Sequence, residues 1–216
     1  MATPHLPDQA RVVVVGGGIV ACSIAYHLAR IGWQDVIVLE RQKLTSGTTW
    51  HAAGLIGQLR PSQNMTKLAK YTAELYMGLE DETGQATGFK QNGSVTIATN
   101  RERLEELKRN ASMAKVFGLA VDVIDRPEVA RRYPLINTDD VLGGTWIASD
   151  GQANPIDVTQ ALAKGARSGG VRIFEDTKVT RILHDGDRVT GVATEQGEIK
   201  AQQVVLCAGM WSRDLA

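Results

Sequence analysis

The feature that most restricts this chain is a run of three glycines, Gly16-Gly17-Gly18, placed between a β-branched stretch and a stretch of helical periodicity. Arg11 to Val15 shows no polar alternation, which suits a strand buried on both faces. After the glycines, Ile24, Leu28 and Ile31 mark one helical stripe. Ala21, Ala25 and Ala29 mark a stripe of small residues beside it, which lets a helix lie close to a sheet. Gly32 follows as a helix terminator. Val36 to Leu39 is a second buried-type strand, closed by Glu40. Residues 11–40 therefore predict a β-α-β unit, which takes about 30 residues. Parallel strands joined this way need helices on their faces, so the unit points to an α/β fold.

The glycines also have chemistry. In Gly16-x-Gly18-x-x-Ala21, Gly16 permits a tight turn and Gly18 lets the backbone come close to a pyrophosphate. Free N–H groups and the helix dipole near Ile19 and Val20 would stabilise its negative charge. Ala21 stands where a third glycine is common, a position that governs helix–strand packing. Glu40 would accept hydrogen bonds from the adenosine ribose hydroxyls and repel a 2′-phosphate, which disfavours NADP. A tight β-α turn with a chance acid has the same pattern, and a β-α-β unit alone does not separate a nicotinamide from a flavin dinucleotide.

Downstream, a loop rich in Gly, Thr and Ser (Thr45 to Gly57) precedes a helix over Met65 to Leu79, with Leu68, Tyr71, Leu75 and Leu79 sharing a face. From Gly84 to Gly151 the pattern changes. Short strand-like pieces (Gly93 to Ala98, Leu142 to Ile147) flank a charged helix from Arg101 to about Phe117, with Leu104, Leu107, Ala111 and Ala114 facing inward. The α/β pattern then resumes. Asn154-Pro155 predicts an N-cap and first helical residue, and the helix stops at Gly169-Gly170. Strands follow at Val171 to Phe174, Thr177 to Leu183 and Arg188 to Thr194, then a short piece at Ile199 and a last strand over Val204 to Leu206.

Composition removes several function classes. Lys+Arg and Asp+Glu are both 24, so nothing in the overall charge steers the chain towards nucleic acid or an anionic membrane. Cys22 and Cys207 sit far apart in apolar segments, without metal-ligand or disulfide spacing, and read as buried reduced thiols. His5, His27, His51 and His184 form no His-x-x-x-His pair; His27 reads as helix packing, His184 as solvent-facing and His5 as part of a frayed end. Val12 to Ala29 is long and uncharged enough to imitate a membrane span, but its three glycines break it into strand, turn and helix. Met1 to Ala10 carries neither a signal-type apolar core nor an arginine-rich face, and the expectation is a soluble, cytoplasmic-type protein.

Gly16-Gly17-Gly18-Ile-Val, the Glu40-Arg41 pair and the loop Ser46-Gly-Thr-Thr-Trp-His-Ala-Ala-Gly-Leu55 together resemble the FAD-dependent amine oxidoreductases of the D-amino-acid-oxidase superfamily. Within it they are most similar to the dimethylglycine and sarcosine dehydrogenases. Tyr133-Pro134-Leu135, Asp150-Gly151-Gln-Ala-Asn-Pro155 and Leu206-Cys-Ala-Gly209-Met-Trp211-Ser extend the likeness along the chain. The resemblance implies an α/β fold: a Rossmann-like FAD-binding domain (β-α-β unit, three-layer sheet and β-meander) interrupted by a partial α+β substrate-domain insertion. The expected segments are 1–84 and 151–216 for the FAD-binding domain and 85–150 for the insertion, with a C-terminal remainder missing.

The resemblance also assigns residues. Glu40 and Arg41 would lie at the adenosine end of FAD, with Val179 contacting the adenine through its backbone. Gly47, Thr48, Thr49, Trp50, His51, Ala52, Ala53, Gly54 and Leu55 would wrap the flavin side, and the turn Gly209 to Trp211 would close over the dinucleotide. His51 matches the histidine that bonds covalently to the 8α-methyl carbon of the flavin; a neutral imidazole is a competent nucleophile for that electrophilic carbon. Without its neighbours His51 would read as an ordinary loop histidine, and Trp50 either packs on the flavin or fills core. The implied activity is oxidation of an N-methylated amine of the dimethylglycine or sarcosine type, with electrons passed to a carrier protein or to oxygen. Arg60 is the one candidate for a substrate carboxylate; no catalytic residue and no metal ligand is assigned. Two alternatives stand beside it: a truncated, non-catalytic FAD-binding fragment, and an NAD-dependent dehydrogenase, which would have no use for the Gly47-to-Leu55 loop.

Overall fold

A computed structural model of the chain describes residues 5–216. Met1 to Pro4, part of the N-terminal stretch in which a targeting signal would stand, lie outside the described residues. In chain order the elements begin with β1 (Gln9–Val15), α1 (Ile19–Arg30), β2 (Val36–Leu39), β3 (Leu55–Ile56), α2 (Gln63–Thr83) and β4 (Ser94–Ala98). Then come α3 (Arg101–Val116), β5 (Asp122–Ile124), α4 (Arg126–Arg132), β6 (Gly143–Ile147), β7 (Gly151–Gln152) and α5 (Pro155–Ser168). The last four are β8 (Arg172–Phe174), β9 (Val179–Asp185), β10 (Arg188–Thr194) and β11 (Gly197–Leu206). Short 3-10 turns cover Thr49–His51 and Gly209–Asp214.

Two compact units share the chain. The first comprises residues 1–53, 79–87 and 154–216. Its six-stranded sheet has the order β8-β2-β1-β11-β10-β9. The strands β8, β2, β1 and β11 run parallel, and β11, β10 and β9 form an antiparallel meander on the same sheet. The β-branched runs of β1 and β2 explain their central place, since Val12 to Val15 and Val36 to Leu39 are all buried. One apolar cluster joins Ala10, Val13, Ile37, Leu39, Phe174, Val192 and Ile199.

α1 buries Ala21, Cys22, Ala25 and Tyr26, while Ile31 is exposed, so the small-residue side rather than the Ile24–Leu28–Ile31 stripe faces inward. That choice follows from its neighbour: α1 packs on α5, whose Gly165 offers no side chain at the Tyr26 ring. Asn154 caps α5 through its side-chain oxygen, which accepts from the N–H groups of Ile156 (3.0 Å) and Asp157 (3.4 Å).

The second unit comprises residues 54–78 and 88–153. A three-stranded antiparallel sheet of order β4-β6-β5 carries α3 and α4 against it. Leu107, Ala111 and Ala114 are the buried side of α3, as the periodicity predicts. Residues 54–78, expected with the first dinucleotide-binding segment, belong here instead. The reason is tertiary: β3 pairs with β7, Leu59 packs on Ala111, Ala114 and Ile147, and Lys70 Nζ donates to Gly118 O. The stripe Leu68, Tyr71, Leu75 and Leu79 on α2 is met only at its C-terminal end: Leu79 is buried and Leu75 half-buried, whereas Leu68 and Tyr71 are exposed and Thr66, Ala73 and Tyr76 are buried instead. Among the described residues no helix is long and apolar enough to cross a membrane.

Candidate functional site

The site begins where β1 ends. Gly16 N–H donates to Leu39 O at 2.8 Å, and Cys207 N–H donates to Val15 O at 2.8 Å, so the glycine turn is held between β2 and the end of β11. Gly16 has φ +115°, and a Cβ there would stand 2.5 Å from Cys207 O. No side chain fits that conformation or that gap. Gly18 is the N-cap of α1, with extended backbone and no side-chain cap, and the first turn of α1 contains no acid. Apart from Ile19 N–H, which donates to Thr49 Oγ1, the helix therefore presents its first-turn N–H groups and a positive dipole end to the cavity beside it.

Glu40, at the end of β2, fastens the turn from the other side. Its Oε2 accepts from Gly17 N–H at 2.6 Å and its Oε1 from Gln42 N–H at 2.8 Å. Each carboxylate oxygen keeps a second lone pair for an incoming hydroxyl. Next to it, the Arg41 guanidinium lies 4.0 Å from the centre of the Trp211 ring, a cation–π stack joining the end of β2 to the Gly209–Asp214 turn. Gly47 lies beside the same ring, where a Cβ would stand in van der Waals contact with Trp211 at 3.4 Å.

The loop after β2 folds back over the start of α1. Thr45 N–H donates to Gly17 O at 3.0 Å, and Thr49 Oγ1 accepts from Ile19 N–H at 3.1 Å. Thr49, Trp50 and His51 form a single 3-10 turn. His51 Nδ1 is 3.2 Å from Gly47 O, and the Trp50 and His51 rings lie 4.1 Å apart at 41°.

These pieces enclose a cavity of about 480 Å³. Of the residues the sequence singles out, Gly16, Gly18, Ile19, Val20, Glu40, Arg41, Gly47, Thr48, Thr49, Ala52, Val179, Gly209 and Trp211 line it. Trp50, His51 and Ala53 do not line it, although they stand on the same loop and are exposed. Gly54 and Leu55 fall in the second unit, where Leu55 pairs with Gln152 and remains exposed. The walls also include Val15, Gly17, Leu39, Ser46, Lys178, Cys207, Ala208, Asp214 and Leu215, which sequence reasoning missed. Gly17, Ser46, Cys207 and Ala208 lay within the quoted motifs without being assigned to the site; Cys207 and Ala208 reach the wall because β11 pairs in parallel with β1.

Burial pushes the Cys22 thiol up to about 12, with smaller opposing help from Arg167; its Sγ–H faces Gly17 O at 3.9 Å. Burial likewise raises Cys207. Both thiols are therefore inert at neutral pH, and neither supplies a nucleophile to the cavity. Arg60 is exposed in the second unit, beside a separate cavity of about 460 Å³, and its Nη1 donates to Leu59 O.

The donor set fits an adenine dinucleotide with a free ribose 2′-hydroxyl. An acid-free helix N-terminus faces a glycine turn too tight for any Cβ, and a carboxylate stands one strand away. Fold and site thus define a dinucleotide-binding protein of the open α/β type. More narrowly, the model of the FAD dependent oxidoreductase (DAO) family matches residues 11–216, and the chain belongs to that family.

Among curated relatives, human (Homo sapiens) mitochondrial sarcosine dehydrogenase is 43% identical over 96% of this chain and 23% of its own length. The mouse (Mus musculus) mitochondrial pyruvate dehydrogenase phosphatase regulatory subunit is 41% identical over 97% of this chain and 24% of its own length. The crystal structure of L-proline dehydrogenase from P. horikoshii superposes with a TM-score of 0.92 at 31% identity, covering 97% of this chain and 55% of that one. The chain thus spans about a quarter of the length of these two curated relatives.

Proposed function

We propose that the chain binds FAD in the cavity of the first unit, that His51 fastens the flavin covalently, and that the whole serves oxidation of an N-methylated amine of the sarcosine or dimethylglycine type. The observation that carries the reading is the juxtaposition, in one unit, of the glycine turn, the Glu40 carboxylate and the loop bearing His51. In this reading Val20 offers its N–H group to the pyrophosphate while Ile19 N–H stays on Thr49 Oγ1, Glu40 accepts from the ribose, and Val179 borders the adenine. The Arg41–Trp211 stack covers the dinucleotide. His51 Nδ1–H donates to Gly47 O, which leaves the lone pair on Nε2 for bonding. FAD, when bound, supplies the acceptor for a hydride from the C–H next to the amine nitrogen. Electrons would pass on to a carrier protein or to oxygen.

Acid precipitation tests the attachment. The protein is loaded with FAD and denatured in acid; yellow colour in the pellet is expected from the wild type, and extractable flavin from His51→Ala. Flavin that leaves the wild-type pellet refutes the covalent link and keeps FAD binding. Anaerobic bleaching of the bound flavin by sarcosine or dimethylglycine tests the activity.

The 41% identity to a regulatory subunit favours a second reading, in which the chain is a non-catalytic FAD-binding part. Bound flavin that no N-methylated amine bleaches would support it.

A further inference from the structure

His51 is held by its own bonds, backbone N–H to Thr48 O at 3.2 Å and ring Nδ1 to Gly47 O, and by one bond that does not touch it. The ring is fixed by Gly47 O. The 3-10 turn that carries it is fixed two residues earlier, where Thr49 Oγ1 accepts from Ile19 N–H at 3.1 Å. Thr49 and His51 stand two residues apart in one 3-10 turn, so a shift of Thr49 passes along the backbone to His51. The contact is close on the glycine side as well: a Cβ on Gly18 would stand 3.1 Å from the same hydroxyl. Thr49 lines the cavity, as do the flanking Thr48 and Ala52, while Trp50 and His51 do not, and the Thr49 hydroxyl is the group of the turn that bonds to α1.

We propose that Thr49 is the positioning residue for flavin attachment: its hydroxyl ties the turn bearing His51 to the first turn of α1 and so sets where the imidazole stands. The inference rests on the covalent reading above. Attachment forms one C–N bond between the imidazole and the carbon of the flavin 8α-methyl group. One methyl C–H and one imidazole N–H bond break. Two electrons and two protons remain on the ring system, and dioxygen takes them as hydrogen peroxide. Thr49 takes no part in these bond changes; it acts through the position of His51.

The test compares wild type, Thr49→Ser, Thr49→Val and His51→Ala, each incubated with FAD in air and sampled over time for total bound flavin and for acid-stable flavin. Valine keeps the shape and removes the acceptor; serine restores it. The hydrogen bond is worth about 1 kcal/mol, so Thr49→Val should attach flavin about fivefold more slowly, measured as the acid-stable share of what is bound. Thr49→Ser should recover most of the rate, which a mere packing role would not allow. An acid-stable share in Thr49→Val equal to that of wild type overturns the inference and leaves the His51 reading standing. A Thr49→Val protein that loses bound flavin of both kinds alike marks Thr49 as a general cofactor ligand and also overturns it. Absence of acid-stable flavin from the wild type overturns both.

Discussion

Glu128 shows how much chemistry a single side chain can carry away from the cavity. It lies in the first turn of α4, where Asp125 caps the helix by accepting from Glu128 N–H at 3.0 Å. Both carboxylate oxygens accept from Arg131 (2.7 and 2.6 Å), and Arg132 reaches the same group while its guanidinium stacks 4.3 Å from the Trp146 ring. The bonds from Arg131, reinforced by Arg132 and by charge and opposed by desolvation, lower the Glu128 carboxyl from 4.5 to about 2. A carboxyl depressed by folding stabilises the fold above its ordinary value and loses that contribution as pH falls through its folded value. Glu128→Gln should therefore lower the melting temperature at pH 7, by a small margin because the group is solvent-facing. The gap to wild type should close between pH 4.5 and about 2. Melting curves across that range check it; a gap as wide at the acid end as at neutrality contradicts the assignment.

Among the elements, the α1–α5 pair leaves no room for an added side chain. A Cβ on Gly165 would meet Tyr26 Cδ2 at 2.7 Å and Cε2 at 2.8 Å, with Thr83 Cγ2 at 3.3 Å. Tyr26 has no free direction, since it is buried and its hydroxyl donates to Glu82 Oε2 at 2.7 Å. Two effects compete in Gly165→Ala. Helix propensity gains about 1 kcal/mol, and overpacking of a closed contact costs about 1–3 kcal/mol. Because both obstructing atoms belong to a pinned ring, overpacking should win, with a net loss of about 1 kcal/mol in urea unfolding. A stabilised variant would mean that the two helices can separate freely. The same element scale explains where local periodicity misled. β11 is one strand of 10 residues, although its polar middle (Lys200 to Gln203) suggests two short pieces. It is continuous because Gln9 to Val15 run parallel to it along one edge and β10 runs antiparallel along the other. On α1 the small-residue stripe that the sequence marks is the buried one, whereas on α2 Leu68 and Tyr71 of the expected stripe are exposed and Ala73 and Tyr76 are buried beside Leu79.

At the scale of the molecule, the cavity exists only in the folded first unit, since its walls come from residues 15–20, 39–41, 46–49, 52, 178–179, 207–209, 211 and 214–215. A ligand bound by such a surface has no partner in the unfolded chain, so binding adds to stability in proportion to the logarithm of its concentration. FAD at about 100 times its dissociation constant should stabilise the fold by about 2.7 kcal/mol, seen as a rise in melting temperature. NADP should produce no rise if Glu40 meets the ribose as proposed, because a carboxylate there repels the 2′-phosphate. An equal rise with both nucleotides would count against the assignment of Glu40. The fluorescence of Trp211, stacked under Arg41 at the cavity wall, reports on the same event.

The β-α-β unit, the glycine turn, the acid that closes β2 and the cap of α5 are legible in the amino-acid sequence by itself. Each depends on neighbours within a few residues: backbone conformation at Gly16, side-chain hydrogen bonding at Asn154, and unbroken β-branched runs in β1 and β2. The membership of residues 54–78 in the second unit, the inward side of α2, the single span of β11 and the Cys207, Ala208, Asp214 and Leu215 wall are settled only by tertiary packing. So is the stack of Arg41 on Trp211, whose partners lie far apart in the chain. These features follow from which surfaces meet, and local periodicity holds no information about a partner that distant in sequence.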